Sequence, residues 1–347
     1  MSSRRIARRL ATGVAALAVL VPAWALSQER TLTVSGGGST FAAPIFEAWI
    51  EDYRMIAPGV AISYDVIGSG EGIDRFLSGS LDFGTTDAPL TLEQEAKVPG
   101  GVVHVPVTAG MVAVAYNLPG DVEGELRLPR EVLGDIFAGV VTSWDDPRLA
   151  AANPDLALPR EDIQIVVRRD GSGTTYAFTN HLEAISESWR ADGRGVATRV
   201  AWPNRTMTAR GNEGVAVTVQ RSEGSVGYVE YGIARQAGLS LAAIENASGA
   251  FVAPTAQSGA AAISVAHLPE DLKIEIRDPA GPEAFPIVTF TWELLHAEPR
   301  DATQAAAIRA FTGWAITEGQ EEAASLGYVP MPQVVRERAA ATLGAGL

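Results

Sequence analysis

The chain has 347 residues, 47% of them hydrophobic and 20% charged, with a formal net charge of −14 and no cysteine. That length holds about two domains, and the composition excludes a mainly disordered or coiled-coil chain. The missing cysteine excludes disulfides, thiolate metal sites and a lipid-bearing cysteine, and the acidic balance argues against nucleic acid or an anionic membrane face as partner.

Arg4, Arg5, Arg8 and Arg9 form a basic head before an apolar run from Ala11 to Ala25. This predicts a secretory signal peptide over residues 1–27, cut after Ala25 or after Ser27. A membrane anchor is the alternative, but the run is shorter than the roughly 20 apolar residues of a spanning helix, and Pro22 interrupts it. The paired arginines raise twin-arginine export, without the rest of that signature. Loss of the four leader arginines takes the net charge from −14 to −18. Local dipoles must then hold any anionic ligand against the field of the whole chain.

Beyond the leader, short apolar strands alternate with amphipathic helices, with no repeat at a fixed period, which predicts an α/β fold. Thr31 to Ser35 reads as a strand, followed by Gly36-Gly37-Gly38 and a helix from about Pro44 to Ala57 with Ile45, Phe46, Trp49, Ile50 and Tyr53 on one face. Ala61 to Ile67 is the next strand, Gly68-Ser69-Gly70 a turn and Gly72 to Leu77 a short helix. Leu81 to Gly84, Val102 to Val107 and Met111 to Asn117 read as three separate strands. Glu131 to Phe137 is helical, Ile163 to Val167 a buried strand, Thr174 to Ile185 a helix, Gly214 to Gln220 a helix and Ser225 to Val229 a strand. Phe285 to Leu295 reads as a strand returning to the first domain. Thr303 to Thr317 is a helix with Ile308, Phe311 and Trp314 or Ala315 inward. Parallel strands joined by crossover helices put ligands at the carboxyl ends of the strands.

Three strand-to-helix turns share one character: Gly38-Ser39-Thr40-Phe41, Gly68-Ser69-Gly70-Glu71-Gly72 and Asp170-Gly171-Ser172-Gly173-Thr174. Each joins glycine and hydroxyls to the unpaired N–H groups of a helix start, which is the make-up of an anion site. Any one alone also reads as an ordinary Ser/Thr cap. Arg168 and Arg169 follow a buried strand, where a guanidinium can fork onto a tetrahedral oxyanion with Asp170 holding it; a surface arginine pair is the alternative. Asp87, before Ala88-Pro89, reads by itself as an Asx-type turn residue.

Enzyme signatures are not supported. The glycine turns lack a P-loop lysine, and Asp82-Phe83-Gly84 has no kinase catalytic loop beside it. No Gly-x-Ser-x-Gly elbow surrounds Ser172, and His104, His181, His267 and His296 have no metal-ligand spacing. No metal or cofactor is expected.

Seven motifs in order then carry a resemblance: GGGSTFAAPIFEAW (36–49), IGSGEGI (67–73), DFGTTDAPLT (82–91), LGDIFAGVVTSWDDP (133–147), VRRDGSGTTYAFT (167–179), GNEGVAVTVQ (211–220) and GSVGYVEYGIA (224–234). From about Thr33 to Ala339 the chain resembles the PstS family, the phosphate-binding proteins of bacterial phosphate-specific ABC transporters. The resemblance implies a type II periplasmic-binding-protein fold: two α/β lobes joined by two crossover segments, with the ligand in the cleft. The expected division is lobe I over residues 28–108 plus 285–347 and lobe II over 109–284. It implies phosphate donors at Thr40, Phe41, Ser69, Ser172, Gly173 and Thr174, an acidic site residue at Asp87, a guanidinium at Arg168 in preference to Arg169, and Asp170 as its support. It further implies a periplasmic, non-enzymatic monomer whose partners are inorganic phosphate and the permease subunits of an ABC transporter in the inner membrane. Another oxyanion such as sulfate, molybdate or tungstate, or a secreted phosphatase using Ser172 or Asp87, are the alternatives.

Overall fold

The computed structural model describes residues 31–120, 124–264 and 266–344; the expected signal peptide lies outside the described residues. In chain order the elements begin β1 (Leu32–Gly38), α1 (Ala43–Ile56), β2 (Val60–Val66), α2 (Ser69–Leu77), β3 (Phe83–Thr86), α3 (Leu92–Glu95) and the long β4 (Val102–Asn117). There follow β5 (Arg127–Leu128), α4 (Arg130–Ala138), α5 (Pro147–Ala152), β6 (Gln164–Arg168), α6 (Gly173–Ile185), α7 (Glu187–Ala191), β7 (Met207–Ala209), α8 (Gly211–Arg221), β8 (Ser225–Glu230) and α9 (Tyr231–Gln236). The chain closes with β9 (Ser240–Leu241), β10 (Ala243–Glu245), β11 (Phe251–Val252), α10 (Ala256–Ser264), β12 (Val288–His296), α11 (Ala302–Ala315), α12 (Glu321–Leu326) and α13 (Gln333–Gly344). Among the described residues no helix is long and apolar enough to cross a membrane.

The main sheet runs β2-β1-β3-β12-β4-β8-β6-β7, with β9 added to β4. Its two ends are parallel: β1 pairs with β2 and β3, and β6 pairs with β7 and β8. Its centre is antiparallel: β12 is antiparallel to both β3 and β4, and β4 is antiparallel to β8. A correction concerns β4, read from sequence as two strands. Pro106 and Gly110 look like punctuation, yet pairing continues past them, with one register shift where Thr291 faces Thr108 and Trp292 faces Pro106. The shift absorbs the irregularity as a bulge instead of a turn.

β4 runs through both halves of the sheet. Its residues 102–111 pair with β12, and its residues 112–117 pair with β8, so one strand serves two differently assembled sheet halves. Each half has its own aromatic core. In the first, Phe46 stacks on Tyr64 at 4.7 Å and packs against Trp49 and Phe83; in the second, Phe178 stacks on Tyr228 at 4.5 Å, with Phe137 against both. Burying one such ring contributes roughly 1.5–3 kcal/mol. Of the expected inner face of α1, Ile45, Phe46, Trp49 and Tyr53 are buried and Ile50 is half-buried at its edge. On α11 the inner residues are Ile308, Phe311, Thr312 and Ala315, which settles the choice between Trp314 and Ala315.

Candidate functional site

The carboxyl ends of β1, β3 and β6 open onto the same space, and α1, α2 and α6 begin beside it. Asp87 comes directly after β3 and is only 1% exposed. Its Oδ1 accepts from the Ser39 hydroxyl at 2.6 Å and from the Thr291 hydroxyl at 2.7 Å, while among the described residues Oδ2 has only Ser69 Oγ, at 3.4 Å. One carboxylate oxygen is therefore saturated and the other is nearly bare. Burial pushes the Asp87 carboxyl up to about 6, against the opposing hydrogen bonds of Ser39 and Thr291, the Arg168 guanidinium and Ser69.

From the other lobe comes the start of α6. Ser172 caps it, its Oγ accepting the Thr175 N–H at 3.0 Å, which leaves the N–H groups of Gly173 and Thr174 without an intrahelical acceptor. Gly173 sits against the acidic residue: a Cβ added there would lie 2.5 Å from Asp87 Oδ2 and 2.6 Å from Ser69 Oγ. Only a glycine admits this approach. A second contact crosses the cleft where the Gly70 N–H donates to the Gly171 carbonyl at 3.0 Å. The start of α2 includes Ser69 itself, so the predicted Gly68-Ser69-Gly70 turn is in fact the helix's first residues, with Gly68 as its cap.

Arg168 is 5% exposed at the end of β6, whereas Arg169 faces solvent. The guanidinium lies fork-to-fork on Asp170, Nε to Oδ1 at 2.8 Å and Nη2 to Oδ2 at 2.5 Å, with Nη1 3.5 Å from Thr174 Oγ1. Burial alone would raise the Asp170 carboxyl, but the bonds and charge of Arg168, with the Gly211 N–H, bring it below the usual carboxylate range. The backbone at Arg168 is braced from behind: its N–H donates to Tyr228 Oη at 3.2 Å, and that phenol pairs with Thr175 Oγ1 at 2.7 Å. The Phe178 ring stacked on Tyr228 thus connects core packing to the position of the guanidinium.

Thr40, Phe41, Ser69, Asp87, Arg168, Ser172, Gly173 and Thr174 are all buried around this space, with Asp170 half-buried behind the guanidinium. The Phe41 N–H donates to Ser39 Oγ at 3.0 Å, so that group is already partly engaged. Three side chains were not singled out by sequence reasoning. Ser39 lies inside a flagged turn, and Thr291 is one of two threonines in β12. Asn212, fully buried at the start of α8, bonds to both Thr40 and Thr174. Its signal was a buried amide opening a helix within a recognised motif.

A family model described as a PBP superfamily domain matches residues 25–318. The chain is 39% identical over 307 residues to a phosphate-binding protein PstS of Xylella fastidiosa, covering 88% of this chain and 83% of that one. It is 38% identical over 331 residues to a PstS of Methanocaldococcus jannaschii, covering 89% and 85%. Among solved structures, a phosphate binding protein from Stenotrophomonas maltophilia superposes with a TM-score of 0.68 at 20% identity, covering 89% of this chain and 93% of that one. The fold is that of the two-lobed periplasmic binding proteins.

Proposed function

The chain belongs to the PstS family of phosphate-binding proteins, and we propose that it captures inorganic phosphate in the periplasm and delivers it to an ABC permease. The observation that carries this reading is the meeting of Gly173 with Asp87 Oδ2 and Ser69 Oγ, which brings helix N–H donors of one lobe against the single under-used acceptor of the other. Phosphate near neutral pH keeps a proton, and Asp87 Oδ2 is placed to accept it. Donors at Thr40, Phe41, Ser69, Ser172, Gly173 and Thr174, and the guanidinium of Arg168, take the remaining oxygens. Hydrogen bonds to charged groups contribute about 1.5–3 kcal/mol each. Less the cost of closing the lobes, several of them give micromolar or tighter binding, about −8 kcal/mol.

In this reading the lobes are residues 28–108 plus 285–347 and residues 109–284, closing on the ligand and presenting a joint surface to the permease. The protein acts as a monomer, without nucleic acid and without a catalytic step. Ser172 Oγ serves as a helix cap and, among the described residues, is not hydrogen-bonded to a base, which is what a nucleophile would require. Calorimetric titration with phosphate, with sulfate and arsenate as competitors, tests the reading. One phosphate per chain, displaced by arsenate and not by sulfate, is expected. Absence of binding, or displacement by sulfate, refutes it; turnover of p-nitrophenyl phosphate would refute the non-catalytic assignment.

A further inference from the structure

Asn212 touches the site without lying in its first row, and its hydrogen bonds fix the direction of two hydroxyl protons. The amide orientation is dictated by its surroundings. Oδ1 accepts the Glu230 N–H at 3.0 Å, a group that can only donate, so Nδ2 must be the atom that faces Thr40 and Thr174. Nδ2 has two hydrogens and two partners: Thr40 Oγ1 at 3.0 Å and Thr174 Oγ1 at 3.0 Å. The backbone N–H of Asn212 adds a second donor to Thr40 Oγ1 at 3.2 Å, and Arg168 Nη1 stands 3.5 Å from Thr174 Oγ1. A hydroxyl has two lone pairs and one proton. Both lone pairs of Thr40 Oγ1, and those of Thr174 Oγ1 with the guanidinium counted, are thus taken by protein donors. Among the described residues neither hydroxyl donates to a protein acceptor, although both are buried.

We propose that Asn212 is a specificity-determining positioning residue, which compels Thr40 and Thr174 to act only as donors and so tunes the cleft for an acceptor-rich anion. A hydroxyl left free would present either a lone pair or a proton and would serve a neutral or donor-bearing ligand equally well. With its lone pairs consumed it repels donors and leaves its proton to an anion oxygen. The Thr40 link also crosses between lobes, since Thr40 follows β1 and Asn212 opens α8. Closure itself therefore completes the polarity of the site, and an open cleft does not hold Thr40 in the donor state. This inference rests on the phosphate reading for the identity of the anion, while the hydroxyl polarity stands on the geometry.

The test is Asn212→Asp, which keeps size and shape and the acceptor for the Glu230 N–H but replaces the NH2 donor by a carboxylate oxygen. The hydroxyl protons then turn toward the introduced carboxylate and away from the cleft. Phosphate affinity is expected to fall by at least about ten-fold, one hydrogen bond to a charged group or more. A carboxylate also repels the anion directly, so the neutral Asn212→Leu isolates the polarity: it is expected to weaken phosphate binding several-fold in the original protein and by less than about two-fold in a Thr40→Val/Thr174→Val background, where those hydroxyls are absent, the non-additivity of a shared pathway. Lowering the pH should restore part of the loss in Asn212→Asp relative to the original protein, because a protonated carboxyl donates again. Additive losses in the triple variant, or a pH-independent ratio of the two affinities, overturn the role of Asn212. An original protein that binds no phosphate overturns the ligand reading instead, so the two failures are told apart by the first titration.

Discussion

Gly173→Ala separates the closed cleft from the stability of the lobe that contributes it. The new methyl would sit 2.5 Å from Asp87 Oδ2 and 2.6 Å from Ser69 Oγ, about 1 Å inside ordinary van der Waals separation. The atoms it meets belong to the opposite lobe and to a carboxylate pinned by Ser39 and Thr291, so neither can swing aside cheaply. The lobes must part by a comparable distance, which stretches the Gly70–Gly171 and Asn212–Thr40 hydrogen bonds along with those to the ligand. Overpacking of this kind costs typically 1–3 kcal/mol, or roughly 5- to 150-fold in affinity. Gly173 is not among the glycines with positive φ, so in the ligand-free, open protein alanine fits the first turn of α6. By restricting the unfolded chain it should stabilise that state by about 0.4–1 kcal/mol. Calorimetry and denaturant unfolding of the variant should therefore move in opposite directions, with weaker phosphate binding and unchanged or higher stability without phosphate. Phosphate binding within two-fold of the original would refute the cleft geometry, and a large loss of stability would show that the glycine serves the lobe instead.

Asp87→Asn removes the acceptor for a ligand proton and, with its NH2 toward the cleft, offers a donor that sulfate can use; phosphate-over-sulfate selectivity measured by competition calorimetry should fall at least about ten-fold. Unchanged selectivity would defeat the proton-counting mechanism. Arg168→Ala should weaken phosphate binding by about 100-fold or more, since it removes a forked donor and strands Asp170, whereas Arg169→Ala should have an effect within about 0.5 kcal/mol. The reverse ranking in the same titration would reassign the arginine. Glu293, buried in β12 with Oε1 unpartnered among the described residues, has its carboxyl pushed by burial from 4.5 up to about 8, against a hydrogen bond from Thr312. The folded state therefore holds the extra proton, and stability falls as pH rises from about 4.5 to about 8. Glu293→Gln should flatten that slope and gain a few kcal/mol at pH 9 relative to pH 6 in denaturant unfolding, while parallel curves for the two proteins would refute it.

The sequence carries local information well and pairing direction poorly, and particular residues show why. The apolar spacing of Ile45, Phe46, Trp49 and Tyr53 is a property of one helix, so α1 was legible to within a residue or two. β4 was not, because Pro106 and Gly110 signal a break locally while the decisive contacts come from β12 and β8. The antiparallel centre of the sheet was hidden for the same reason: no residue of β12 states which way its neighbours run. In the site, glycine and hydroxyl turns announced themselves, but the groups that orient them did not. Thr291 reaches Asp87 across 204 residues of chain and Asn212 reaches Thr40 across 172, distances at which only a fold or a family pattern can connect them.

An acidic chain that holds an anion must do so without net charge, and the cleft shows how. Arg168 is matched by Asp170, and Asp87 adds a further carboxyl, so the formal charge of the site is negative, as is that of the whole protein. In the proposed site the attraction comes from the direction of hydrogens, those of the uncapped N–H groups at the start of α6 and of Thr40 and Thr174. Such short-range donors act where water is excluded and the effective dielectric is low, while the diffuse negative surface is screened by salt beyond about 10 Å. The same arrangement makes the one remaining acceptor decisive. With Asp87 Oδ1 consumed by Ser39 and Thr291, the proposed site sets donors around a tetrahedral oxyanion except at Oδ2, which an ion that still carries a proton would satisfy.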